Sequence, residues 1–258
     1  MADYIDIEHA KNTEGLRIVA PPGRPNPWAE GLKGMCHVKR LPYILVGKAA
    51  GYDAALQDWT RQSSAPVAVW HDERPRTTWN ELIYLVERLA PEPSLVPDDS
   101  DDRMTMFGLC NELCGEAGFG WLRRLMVVHG ILTNPDVGEQ GKAGASYLGG
   151  KYGYSPAAAE AAPQRVAQML QTLSARLASQ QNKGSRYLIG DTLTALDIYW
   201  STFTVLVQPL PLELCPMDPA FHTSLFNRDT FVADALSPTL LEHRDRIYHE
   251  HLQLPMDF

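Results

Sequence analysis

The chain has little that would tie it to an oxidising compartment, a membrane or a nucleic acid. Four cysteines in 258 residues are too few for a disulfide scaffold, so a reducing cytoplasm is the expected setting. Long basic runs are missing too: 23 Lys and Arg face 31 Asp and Glu, for a formal net charge of −8. That leaves no electrostatic footprint for nucleic acid or an anionic membrane. The longest apolar stretch, residues 198–207, contains Ser and Thr and is soon followed by Pro209, too short to cross a bilayer. Residues 1–14 are polar and acidic, without the charged, apolar and cleavage regions of a secretory signal. No nucleophile elbow, zinc-protease helix, phosphate loop or dinucleotide fingerprint is present, and no internal repeat.

The metal-ligating residue types are scattered. Cys110 and Cys114 lie four apart on a predicted helix, but no His or second Cys pair completes a four-ligand set, so they read as buried apolar cysteines. His243, His249 and His251 have no metal-site context and are expected at the surface. The run Asp98, Asp99, Asp101 and Asp102 follows Pro91, Pro93 and Pro97. It reads as a solvated linker whose carboxylates favour the next helix N-terminus. No metal site is expected.

What is present is helical punctuation. Residues 103–131 read as one long helical segment in which Gly115, Gly118 and Gly120 allow a bend. Residues 133–154 are rich in glycine and read as an extended loop, residues 157–179 as a helix with one apolar face, and residues 217–230 as irregular. A last helix is expected over 238–251. The strongest signal is the run from Arg186 to Ile198. Thr194 is a good N-cap, Asp197 can reach back to the cap's own N–H, and Leu193 and Ile198 are placed as a hydrophobic staple.

That string resembles the buried capping box in the helical domain of glutathione transferases. Two further stretches fit the resemblance. Gln62 to Trp70 looks like the family's loop into a strand, with Ala65-Pro66 as its cis X-Pro bond. Eleven residues after Pro66, Thr77-Thr78 stand where the family opens a helix with Glu-Ser. A stripe of Trp79, Leu82, Ile83, Val86 and Leu89 then ends before Pro91. Counting back from Leu41-Pro42-Tyr43 places Asn26-Pro27 at the start of the first family helix. Leu32, Met35 and Cys36 then face inward, with residues 16–19 as the first strand.

The resemblance implies an α/β thioredoxin-like domain followed by an all-α domain. The expected division is an N-terminal extension at 1–15, a glutathione-binding domain at 16–93, a linker at 94–102 and a helical domain at 103–258. It implies glutathione as co-substrate, a small electrophile as the second substrate, and a homodimer. The thiolate would form at the helix opened by Asn26, the residue in the catalytic position, where the family carries a hydroxyl or a thiol. An amide can donate to a thiolate but forms no mixed disulfide; alternatively Asn26 only caps its helix. Trp28, Ala65, Pro66, Thr77 and Thr78 would hold glutathione, Thr78 through the γ-glutamyl carboxylate. Thr77 replaces the family's glutamate, Ser64 a longer polar or basic side chain, and Arg24 flanks the site. Trp121, Arg124 and Leu125 would face the acceptor, or else serve packing. The alternative on the same scaffold is a non-catalytic binding or interaction module; a glutathione-dependent lyase or isomerase would differ only in its acceptor pocket.

Overall fold

The protein is described from a computed structural model covering residues 2–49 and 51–258; Met1 of the expected extension and Ala50 of the expected glutathione-binding domain lie outside the described residues. The N-terminal half contains β1 (Tyr4–Ile5), α1 (Ile7–Lys11), β2 (Leu16–Ala20), α2 (Pro27–Val38), β3 (Ile44–Gly47), α3 (Ala54–Thr60), β4 (Val67–Trp70) and α4 (Trp79–Leu89). Among the described residues the sheet runs β1-β3-β2-β4, with β1 and β2 parallel to β3 and β4 antiparallel to β2. A single bridge, Ala68 to Arg76, adds a vestige of one more strand beyond β4.

Period-two alternation sends the strands' side chains to two cores. Leu16, Ile18, Leu45 and Ala68 join the main core with α2, α4 and the helical half, while Val19, Val46, Val67 and Val69 pack with Ile7, Ala10 and Leu56 on the other face. The expected extension is therefore part of the sheet: β1 pairs with β3, and α1 covers the second core. Arg17 fastens it, because its buried guanidinium donates to the carbonyls of Ala10, Thr13 and His71.

The helical half contains α5 (Ser100–Cys114), α6 (Phe119–Thr133), α7 (Glu139–Lys151), α8 (Pro156–Asn182), α9 (Ala195–Phe203), α10 (Pro219–Leu225), α11 (Thr230–Ala235) and α12 (Pro238–His251). The linker's acidic run ends inside α5, where Asp99 accepts the N–H groups of Asp101 and Asp102. Four expectations are corrected. The segment 103–131 is two helices rather than one bent helix, since Gly115 is extended (φ −76°, ψ 174°) and ends the first. The segment 133–154 holds the helix α7: Gly149 lets it approach Val128 of α6 closely, while Gly144 and Gly150 meet open space. The segment 217–230 contains α10 and the start of α11, capped by Asp218 and Asp229. His243 is buried rather than superficial.

The expected capping box is present, and it is more than local. Asp197, wholly buried, accepts the Thr194 N–H at 2.9 Å, the Thr194 hydroxyl at 2.8 Å and the Leu188 N–H at 2.8 Å. His243 Nε2 of α12 lies 3.0 Å from Oδ1, the oxygen that also accepts the Leu188 N–H, while both Thr194 donors meet Oδ2. Arg246, which can only donate, sits 3.1 Å from His243 Nδ1. That fixes Nδ1 as acceptor and Nε2 as the protonated nitrogen facing Asp197. The first N–H of α9, from Ala195, reaches back to the linker at Leu95 O.

Thr194→Ala removes one of four donors to this carboxylate and should cost about 1 kcal/mol. Asp197→Ala strands the Leu188 and Thr194 N–H groups and should cost roughly twice as much or more. Urea unfolding of the two variants checks the ranking; equal midpoints for both and the parent would show that the carboxylate is not a structural lock.

Candidate functional site

The site begins at the N-terminus of α2. Pro27 suits the first helical turn because its missing N–H would be unpaired there anyway. Asn26 before it uses both ends of its amide. Its Oδ1 accepts the N–H groups of Trp28 (3.1 Å) and Ala29 (3.3 Å), and its Nδ2 donates to Ala65 O at 3.2 Å. The Ala65–Pro66 bond is cis. One side chain thus ties the start of α2 to the loop that enters β4.

Trp28 carries the connection to the helical half. Its Nε1 donates to Cys114 O at 2.9 Å, and its ring meets Phe203 edge-on with centroids 4.8 Å apart. Gly120 makes this packing possible: a Cβ there would lie 2.5 Å from Phe203 and 2.8 Å from Trp28.

Between the two halves lies an open cleft of about 400 Å³, within the range of small-molecule sites. One wall is Gln62, Ser64, Ala65, Pro66, Thr77 and Thr78; the other is Asn111, Glu116, Trp121, Lys151 and Tyr152, with Trp28 at the floor. Trp121 donates to Tyr152 O at 2.9 Å and meets its ring edge-on at 4.7 Å. Burial raises the Tyr152 pKa, and Arg124 partly offsets that. Lys151 is lowered by the protein crowded around its ammonium and by the positive charges of Lys48 and Arg124. Of these three cations, Lys151 lines the cleft.

At the start of α4, Glu81 closes a second capping box with Thr78. Its Oε2 lies 2.9 Å from the Thr78 hydroxyl and 3.3 Å from the N–H groups of both Thr77 and Thr78, while Arg74 donates to Oε1 at 2.7 Å. Burial alone would raise the Glu81 pKa, but these donors outweigh it and lower it to about 2.

Solved structures share this fold. A glutathione transferase family member from Pseudomonas fluorescens, with two glutathiones bound, superposes with a TM-score of 0.63 at 11% identity, over 95% of this chain and 94% of its own. A glutathione S-transferase from Methylobacterium radiotolerans, in complex with glutathione sulfonate, gives 0.61 at 17% identity, over 91% of each chain. The chain has the glutathione transferase fold. A third structure of that fold, glutathione transferase Omega 3C from Trametes versicolor, gives 0.57 at 12% identity, over 95% of this chain and 89% of its own. No protein-family model matches the chain, and no curated protein matches it.

On this glutathione transferase fold, the expected residues Trp28, Ala65, Pro66, Thr77, Thr78 and Trp121 all line the cleft. Asn26 is half-buried just behind the lining, hydrogen-bonded to Ala65. Arg124 acts on the cleft through Tyr152 and Lys151. Leu125 is buried against Tyr152 and Ala159, in the wall rather than at its face. Arg24 stacks over the Phe221 ring of α10 at 5.1 Å. Sequence reading missed Lys151, Tyr152, Glu116 and Asn111, which come from segments read as loop or as one continuous helix. Glu81 was missed as well, although its place three residues after Thr78 is a capping-box signal that could have found it.

Gly120→Ala should be destabilising by about 1–3 kcal/mol, because the new methyl overpacks a contact that also seats Trp28. Urea unfolding followed by tryptophan fluorescence checks both effects. An unchanged midpoint and spectrum would mean that the floor of the cleft tolerates the extra carbon.

Proposed function

We propose that the chain binds glutathione in this cleft and promotes attack of its thiolate on a small electrophile. The observation that carries the reading is the convergence of three separate segments on one cleft: the start of α2, the cis Ala65–Pro66 loop and the Thr77-Thr78 helix start. The neighbours of the same fold that were crystallised with glutathione or its sulfonate support it.

In this reading the Ala65 backbone pairs with the cysteinyl unit, and Thr77 and Thr78 take the γ-glutamyl end. The thiol, ordinarily near pKa 8.5, lies at the positive end of α2, where the helix dipole and a hydrogen bond from Asn26 favour the thiolate. One Asn26 N–H is committed to Ala65 O; its amide carries a second. The acceptor lies against Trp121 and Tyr152, with Arg124 and Leu125 supporting that wall. A homodimer is proposed through the face shared by α4 and α5, where Tyr84 and Met104 stay exposed beside Phe107. The cytoplasm is the proposed compartment, on the cysteine usage.

Calorimetric titration with glutathione tests the binding, and turnover of chlorodinitrobenzene tests the chemistry. Absence of binding at millimolar glutathione would favour the non-catalytic module. Asn26→Ala should raise the apparent pKa of bound glutathione, followed by thiolate absorbance. Asn26→Asp keeps the cap but sets a negative charge beside both the sulfur and Ala65 O, so it should raise that pKa further. An Asp variant with the parental titration would reduce Asn26 to a cap.

A further inference from the structure

The donors that would hold a γ-glutamyl carboxylate already hold one. Glu81, at the third position of α4, places Oε2 within 3.3 Å of the Thr77 and Thr78 N–H groups and 2.9 Å from the Thr78 hydroxyl. The hydroxyl has one proton, and its other neighbour is Asn80 Oδ1 at 2.6 Å. The carboxylate's second oxygen is taken by Arg74 in an ion pair at 2.7 Å. Thr77, Thr78 and Asn80 line the cleft, so this arrangement faces the space a ligand would enter.

Two negative charges cannot share that donor set without repulsion, and the donors are too few to satisfy both. We propose that Glu81 is an internal carboxylate occupying the γ-glutamyl subsite, and that glutathione binds by displacing it. This rests on the glutathione reading of the cleft. Glu81 is then an affinity-determining residue. It stabilises the helix start while the site is empty and competes with the ligand's α-carboxylate when glutathione arrives. Displacement also releases Arg74, whose guanidinium is two-thirds exposed and can follow either carboxylate. The neutral isostere keeps the helix cap, because glutamine serves at the third position of a capping box as glutamate does.

The experiment is calorimetric titration of the full chain and of Glu81→Gln and Glu81→Ala with glutathione and with γ-aminobutyryl-Cys-Gly. The second peptide is the same tripeptide without the α-carboxylate. Thermal melting is recorded for each protein, and Glu81→Gln decides the matter if Glu81→Ala fails to fold. The expected result is glutathione binding about tenfold or more tighter in Glu81→Gln than in the parent, with the decarboxylated peptide insensitive to the substitution. A parent that shows no binding beside a Glu81→Gln variant that does would support the same conclusion. A variant that binds glutathione equally or more weakly than a binding parent overturns the proposal alone. The weaker case would mean that Glu81 receives the ligand's ammonium group in place of the acid missing at Thr77. If neither protein binds glutathione at millimolar concentration, the glutathione reading falls, and the proposal with it.

Discussion

A carboxylate with no exposed surface must be given partners or not be charged, and Asp197 is given partners from three places at once. Its oxygens meet the loop at Leu188, the start of α9 at Thr194, and α12 through His243. Each bond is ordinary; the constraint is that all must be made together, because an unmatched partner inside the core is costly. Around this point α9 touches the rest of the molecule. Ala195 binds the linker at Leu95, Trp200 donates to Leu240 O, and the Tyr199 hydroxyl donates to Trp79 O at the first residue of α4. The helix that reads as a local signal is the joint between the two halves.

The cleft depends on that joint. Phe203, on the last turn of α9, supports both Trp28 and the close approach of Gly120. Trp28 in turn holds the end of α5 at Cys114 O. The thioredoxin-like wall and the helical wall are thereby fixed at a spacing that leaves room for a ligand. Asn26 completes the first wall by tying the start of α2 to the Ala65 carbonyl.

The molecule uses one capping motif twice, and burial separates the two uses. Thr194 and Asp197 lie in the core, where the box is closed to ligands and serves structure. Thr78 lines the cleft with Glu81 bonded to it from behind, and there the same orphan N–H groups are available to water, to the helix's own side chain or to an entering carboxylate. A helix start is thus a lock in one place and a contested binding position in the other.

Local chemistry determined what the sequence could say by itself. Helix starts are written in adjacent residues, so Asn26-Pro27, Thr78 and Thr194 with Asp197 were legible as a string, as were the apolar stripes of α4 and α8. Only the tertiary structure decided the rest. Glycine-rich α7 packs on α6 with Gly149 close to Val128, a contact that no local propensity contains. His243 is buried because Asp197, 46 residues away in sequence, needs its Nε2 proton. Lys151 and Tyr152 join the cleft because α7 and α8 carry their connection back to α6. Glu81 could be read as a cap from its spacing. That its carboxylate occupies donors facing a ligand cleft follows only once the opposite wall is in place, since the consequence of a local hydrogen bond depends on what can reach it through space.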